Sequence, residues 1–154
     1  MRTSEICLWF DGNAEEAIAY YGEIIKELKV ISKFYTEIAP PRQGSQVPLT
    51  IEFEMAGIRY MALNGGNAFK FTPAISIMLL CETQQQIDTA WEHLAKDGQT
   101  MQCGWLTDKF GISWQIVPAE FSQWLLSKEP GKSDRVMQAM MQMVKLDLET
   151  LKNA

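Results

Sequence analysis

Few side chains in this sequence can act on a substrate, and their placement narrows the chemistry further. There is one histidine, His93, and there are three cysteines, Cys7, Cys81 and Cys103. His93 falls in a helix-like stretch whose positions Ile87, Ala90, Trp91 and Leu94 define a buried face, which puts its ring on the solvent flank. A Ser-His-Asp triad would have to recruit that one residue, so nucleophilic catalysis of this kind is rejected. The cysteines are odd in number and form no Cys-x-x-Cys pair, which argues against a disulfide framework and a zinc knuckle and for reduced thiols. Cys7 and Cys81 lie in apolar, strand-like runs and read as core. Cys103 is followed by Gly104 and Trp105, with Lys109 as the nearby cation; a packed thiol is favoured over a reactive or ligand-lining one. Asp108 opens an Asp-x-x-Gly string and suits a turn better than an acid. The remaining signal is aromatic. Trp9, Phe10, Trp105 and Trp114, together with Cys103 and Gln115, fall on or beside strands, and aromatic walls with a few polar groups suit a flat or apolar organic ligand. These six form the candidate ligand-binding set; no catalytic residue is assigned.

The whole chain has 154 residues, enough for one domain with a sizeable core, and its 47% hydrophobic and 21% charged residues are those of a globular protein. Fourteen basic against nineteen acidic residues give a net charge of −5, which leaves no basic field for nucleic acid. The longest apolar run, Ile75 to Cys81, is interrupted by Ser76 and far too short to span a membrane. Met1-Arg2-Thr3-Ser4-Glu5 lacks the apolar stretch of a signal peptide, so a cytoplasmic protein is expected.

Pattern and turn chemistry place the elements. Glu5 to Phe10 reads as a strand that stops at Asp11-Gly12-Asn13, and Asn13 with Glu16 predicts the cap of a helix from Ala14 to Leu28. Lys29 to Glu37 is strand-like, and the Pro40-Pro41 stretch is a loop. Leu49 to Met55 and Ile58 to Leu63 read as a hairpin about Ala56-Gly57. The order then recurs after Asn64-Gly65-Gly66-Asn67, itself read as a linker turn. A strand from Ala74 to Cys81 leads to a Thr83/Gln86 capping box and a helix from Gln84 to Lys96, closed by Gly98 in a left-handed conformation. Thr100 to Trp105 and Ile112 to Val117 are further strands. Ile6 overlays Ser76, and Tyr21 overlays Trp91, at an offset of 70, whereas Gly57 overlays Gly111 at 54, which locates an insertion in the Pro40-Pro41 loop. A short helix from Phe121 to Leu126 and a Ser133-capped helix from Asp134 to Leu151 make a tail. Met137, Met140, Met141, Met143, Val144, Leu148 and Leu151 give it an apolar stripe suited to covering a sheet or a partner subunit.

Two strings carry a family resemblance: Trp9-Phe10-Asp11-Gly12-Asn13-Ala14-Glu15-Glu16-Ala17 with Tyr20-Tyr21, and Cys103-Gly104-Trp105-Leu106-Thr107-Asp108-Lys109-Phe110-Gly111-Ile112-Ser113-Trp114-Gln115-Ile116-Val117-Pro118. They resemble the PhnB-like proteins, often labelled 3-demethylubiquinone-9 3-methyltransferase, a branch of the vicinal oxygen chelate superfamily that includes glyoxalase I and bleomycin-resistance proteins. The resemblance extends into the tail from Arg135 to Asp147. It implies an α+β fold of two tandem β-α-β-β-β modules whose half-open sheets enclose a cavity, with a helical extension. The expected layout is one domain over residues 1–118, made of modules at about 1–66 and 67–118, with the extension at 119–154.

The superfamily's chemistry depends on a divalent metal held on cavity-facing strands. The resemblance puts the corresponding positions of this chain at Ile6, Ser76 and Gln115, with no carboxylate in Tyr60-Met61-Ala62-Leu63; a one-residue slip brings in Glu5 alone. Transition metals need three or four nitrogen, sulfur or carboxylate ligands, so no metal is expected. Nor does a Gly-rich loop follow Phe10 as in nucleotide-fold methyltransferases, so no cofactor is expected. The leading expectation is a metal-independent protein that binds a small apolar or aromatic metabolite. An enzyme of 3-demethylubiquinone 3-methyltransferase or glyoxalase-like type and a dimeric scaffold without ligand are the alternatives. Unpaired sheet edges, the tail stripe and family precedent lead to an expected homodimer.

Overall fold

The computed structural model describes residues 4–37 and 47–154; the Pro40-Pro41 loop and the insertion located there lie outside the described residues. The chain divides into two compact units between Phe71 and Thr72. Each is a four-stranded sheet with one helix or more, so the tandem α+β modules expected from the sequence are present.

In the first unit, β1 (Ile6–Phe10) runs parallel to β4 (Ile58–Asn64), which pairs antiparallel with β3 (Thr50–Met55), and β3 pairs with β2 (Lys29–Phe34), giving the order β1-β4-β3-β2. Leu8, Phe10, Ile51, Phe53, Met55, Tyr60 and Ala62 alternate along these strands and are buried with Ala17, Ile18 and Tyr21 of α1 (Ala14–Gly22). Burial pushes the Tyr60 hydroxyl pKa up. The helix is shorter than the periodicity to Leu28 predicts: after Gly22 the chain continues in turns closed by Ile24, Ile25 and Leu28 amides. Asn13 makes no side-chain cap; instead Asn64 Oδ1 accepts from the Ala14 amide at 3.0 Å while Asn64 Nδ2 donates to Pro48 O. The β3–β4 hairpin turns through Ala56 at φ 49° and Gly57 at φ 80°, the paired left-handed residues of a two-residue turn.

In the second unit, β5 (Ile77–Cys81) is parallel to β8 (Ser113–Pro118), followed across the sheet by β7 (Trp105–Thr107) and β6 (Gln99–Thr100). The expected single strand from Thr100 to Trp105 is in fact two short strands, because Cys103 (φ 64°) and Gly104 (φ 76°) are both left-handed and reverse the chain. The helix α2 (Gln84–Leu94) has the predicted Thr83/Gln86 capping box and buries Ile87, Ala90 and Leu94. Its end differs from expectation: Asp97 takes the left-handed conformation, at φ 61°, whereas Gly98 is required because a Cβ there would meet the Thr107 carbonyl oxygen.

The tail also differs. In place of one helix from Asp134 to Leu151 there are α4 (Lys132–Met141) and α5 (Leu148–Asn153), after the short α3 (Phe121–Leu125). Gly131, not Ser133, precedes α4, and Asp147 caps α5 through the Thr150 amide at 2.7 Å, which holds its carboxyl below the usual range. Val136, Leu146 and Leu151 pack on Val117, so part of the stripe is satisfied within this unit; Met137, Met141 and Val144 remain exposed. Among the described residues, no helix is long and apolar enough to cross a membrane.

Candidate functional site

Each sheet has one face packed by its helix and one open face. Side-chain alternation assigns the open faces residue by residue. In the first unit Cys7, Trp9, Glu52, Met61 and Leu63 share the open face, with Glu5 and Arg59 at one end. In the second unit it carries Met78, Leu80, Trp105, Thr107, Ser113, Gln115 and Val117.

The pairing also corrects the repeat. Ile6 lies opposite Tyr60 and Ile77 opposite Trp114, and Tyr60 and Trp114 are themselves separated by the hairpin offset of 54, so the first strands correspond at 71 rather than 70. Glu5, not Ile6, is therefore the counterpart of Ser76. The cause is one additional residue between strand and helix in the first unit, where Gly12 turns the chain at φ 83°.

The second open face is graded. At one end Thr107 and Ser113 place their hydroxyl oxygens 3.4 Å apart. In the middle row Met78, Gln115 and Trp105 stand side by side on three strands, and Gln115 Nε2 donates to Ser76 Oγ at 2.8 Å. At the far end Leu80 lies beside Val117. Met78 and Leu80 are 51% and 58% exposed, whereas Val117 is covered by the tail.

The six predicted residues separate into distinct settings. Gln115 and Trp105 are neighbours on the second open face. Trp114 is fully buried on the opposite face, its indole Nε1 donating to Asp108 Oδ2 at 2.8 Å. Phe10 is buried on the helix face of the first sheet, edge-on to Phe71. Trp9 is on the first open face but is engaged by the loop that follows β4: its Nε1 donates to Gly66 O at 2.7 Å, its ring meets Phe69 edge-on, and a Cβ on Gly65 would collide with the ring. The Asn64-Gly65-Gly66-Asn67 string, read as a linker turn, thus seats a tryptophan. Cys103 is half-buried, and its amide donates to Met143 O at 2.8 Å.

Asp108 has the turn role expected of it. Oδ1 accepts from the Phe110 and Ile112 amides at 2.8 and 3.0 Å while Oδ2 holds Trp114, all in a residue only 4% exposed. Cys81 is buried and its thiol is pushed up to about 11 by desolvation, which keeps it protonated at neutral pH. Cys7, read as core, is instead exposed, because it points to the open face; partial burial of its sulfur raises its pKa. Sequence reasoning also missed Met78, Leu80 and Thr107 as members of the open face that Ser76 shares; the alternation of β5 and of β7 was the available signal. The first unit has in addition a groove of about 570 Å³ between α1 and β2, lined by Ile18, Ala19, Leu28 and Val30 and bridged by a 2.6 Å Lys33–Glu15 ion pair that raises the lysine pKa.

A metal of the superfamily kind does not match the donors present. Ser76 and Gln115 offer a neutral hydroxyl and amide, Glu5, the counterpart of Ser76, is paired with Arg59 at 3.3 Å, and among the described residues no three or more His, Cys, Asp or Glu side chains converge to hold an ion.

Comparison with known proteins agrees with the two-module architecture. The profile of the 3-demethylubiquinone-9 3-methyltransferase family matches residues 3–117, so the chain belongs to that family, the PhnB-like branch of the vicinal oxygen chelate superfamily. A PhnB protein from Bacillus cereus, described as a 3-demethylubiquinone-9 3-methyltransferase, is 32% identical, covers 76% of this chain and 98% of its own, and superposes with a TM-score of 0.67. Protein PA1353 from Pseudomonas aeruginosa (19% identity, 75% of this chain and 97% of its own, TM-score 0.60) shares the fold. So does a variant of the fosfomycin resistance protein FosX from Listeria monocytogenes, solved with Mn(II) and 1S,2S-dihydroxypropylphosphonic acid (13% identity, 81% and 97%, TM-score 0.57). No curated protein matches the chain. The family match ends at Val117, so the helical tail lies outside it.

Proposed function

We propose that this PhnB-like protein binds a small apolar or aromatic metabolite without a metal ion, on the open face of its second sheet. The observation that carries the reading is the Ser76–Gln115 hydrogen bond, a neutral polar pair set among Met78, Leu80 and Trp105. Such a pair can orient a hydroxyl or carbonyl group, since the amide and the hydroxyl both donate and accept, while the thioether, aliphatic and indole surfaces take up apolar area. In this reading residues 1–118 form the two-module domain, residues 119–154 are its extension, and the chain works as a homodimer. Binding of 1-naphthol, followed by tryptophan fluorescence, tests it. Quenching in the wild type, weakened at least tenfold by Gln115→Ala or Trp105→Leu, is expected; equal affinity in all three proteins would remove the site from this face. Methyl transfer, the activity in the family's name, has a separate check: calorimetric binding of S-adenosylmethionine would favour that reading over ours.

A further inference from the structure

Resting on the site assigned above, we propose that the C-terminal extension is the apolar end wall of that site, so that it selects a ligand with a neutral polar head and a hydrocarbon body. Three rows of the second open face follow one another along the strands: Thr107 and Ser113, then Trp105, Gln115 and Met78, then Val117 and Leu80. Alternate residues on a strand lie about 7 Å apart, so the rows span the length of a small amphiphile. The first row offers only hydroxyls, of which Thr107 is half-buried and Ser113 buried. The third is aliphatic, and the tail sits on it: Val136, Leu146 and Leu151 bury Val117, with Met140 and Met143 packed around them, while Leu80 beside Val117 is left open. A ligand whose polar head is held by the Ser76–Gln115 pair and whose hydrocarbon body runs past Leu80 therefore meets the tail at its other end.

The tail is fixed there by more than its apolar side chains. Met143 O and Val144 O accept from the Cys103 and Gly104 amides, both at 2.8 Å, across the left-handed turn that leads into Trp105. A Cβ on Gly104 would come within 2.9 Å of Leu146 Cγ, so this glycine lets the tail close on the strand. On the α2 side Gln84 bonds both Leu146 O and the Leu148 amide, and Lys145 pairs with Asp88 at 2.5 Å, an interaction that lowers the Asp88 pKa. The family match stops at Val117, so the segment that forms this end of the site lies outside the matched residues.

The test uses the intact protein labelled with 13C at the methionine methyl groups, titrated with 1-butanol, 1-hexanol and 1-octanol, and with Met143→Leu and Met140→Leu variants to assign the signals. With 1-octanol the Met78 and Met143 or Met140 methyls are expected to shift together, with 1-butanol only Met78, and Met55, buried on the first sheet's helix face, with neither. Affinity is expected to rise about fourfold per methylene added. Met78 shifts with every alcohol and no response from the tail methionines would overturn the end wall while leaving the site intact. No response at Met78 with any alcohol would overturn the site itself, and the wall with it.

Discussion

Asp108→Asn is the substitution that best separates a structural carboxylate from a chemical one. The carboxylate accepts two backbone amides on Oδ1 and the Trp114 indole on Oδ2, and it is nearly inaccessible to solvent. An amide has one oxygen where the carboxylate has two. If that oxygen keeps the Phe110 and Ile112 amides, the new NH2 faces the indole N–H, donor against donor, inside the protein. A hydrogen bond to a charged group contributes about 1.5–3 kcal/mol, and a buried donor left unsatisfied costs about 1–3 kcal/mol, overlapping contributions that combine to a loss of about 2–3 kcal/mol. For a chain of this size that corresponds to a fall in Tm of about 4–12 °C. Urea titrations of wild type, Asp108→Asn, Trp114→Phe and the double variant give the coupling directly. With Trp114→Phe the indole donor is gone, so the asparagine should cost at least about 1 kcal/mol less in that background. A loss below about 0.5 kcal/mol, or an equal loss in both backgrounds, would refute the assignment and return Asp108 to the pool of candidate acids.

Other outcomes follow from single contacts. Gly65→Ala drives a methyl group into the Trp9 ring, so the indole must leave Gly66 O; a loss of about 1–3 kcal/mol with a changed Trp9 emission is expected, and unchanged emission would show that the loop does not seat the ring. In iodoacetamide labelling of the folded protein at pH 8, Cys7 is expected to react and Cys81 to be protected, as peptide mapping would show. Because the folded Cys81 pKa is raised, its contribution to stability is complete below the thiol's ordinary value and is lost as the pH rises through about 11; urea midpoints across that range should fall, and less so in Cys81→Ala. Light scattering at micromolar concentration is expected to give twice the chain mass of 17.5 kDa, with Met137, Met141 and Val144 among the apolar groups available to a partner; a monomer mass would exclude the dimer.

How much of this was legible in the sequence depended on whether the determinants were local. The Thr83/Gln86 capping box and the Ala56-Gly57 hairpin are set by side chains within a few residues of one another, and both formed as read. Periodicity overextends the first helix because Ile24, Ile25 and Leu28 keep helical spacing although the chain has left the helix; a turn can bury Ile25 equally well. The pattern of the tail likewise suggests one helix, because its interruption is fixed by the distant Cys103 and Gly104 amides, which capture the carbonyls of Met143 and Val144. In the candidate site, aromatic composition places the rings on or beside strands but does not say which face each ring occupies. Trp105 and Trp114 differ by one step of alternation, and that step separates an open-face indole from one buried against Asp108. The one-residue error in the repeat exchanged Glu5 for Ile6, and Gly12, whose left-handed turn lengthens the first connection, had no counterpart to reveal it.

Native mass spectrometry of protein purified without chelator tests most directly whether Ser76 and Gln115, a neutral hydrogen-bonded pair on the open face of the second sheet, stand without a metal ion. A chain mass free of metal, with a retained organic molecule lost on collisional activation in the wild type and absent from Gln115→Ala, is the predicted result. About one transition-metal ion per chain, lost together with folded-state binding when Ser76 or Gln115 is replaced, would contradict it.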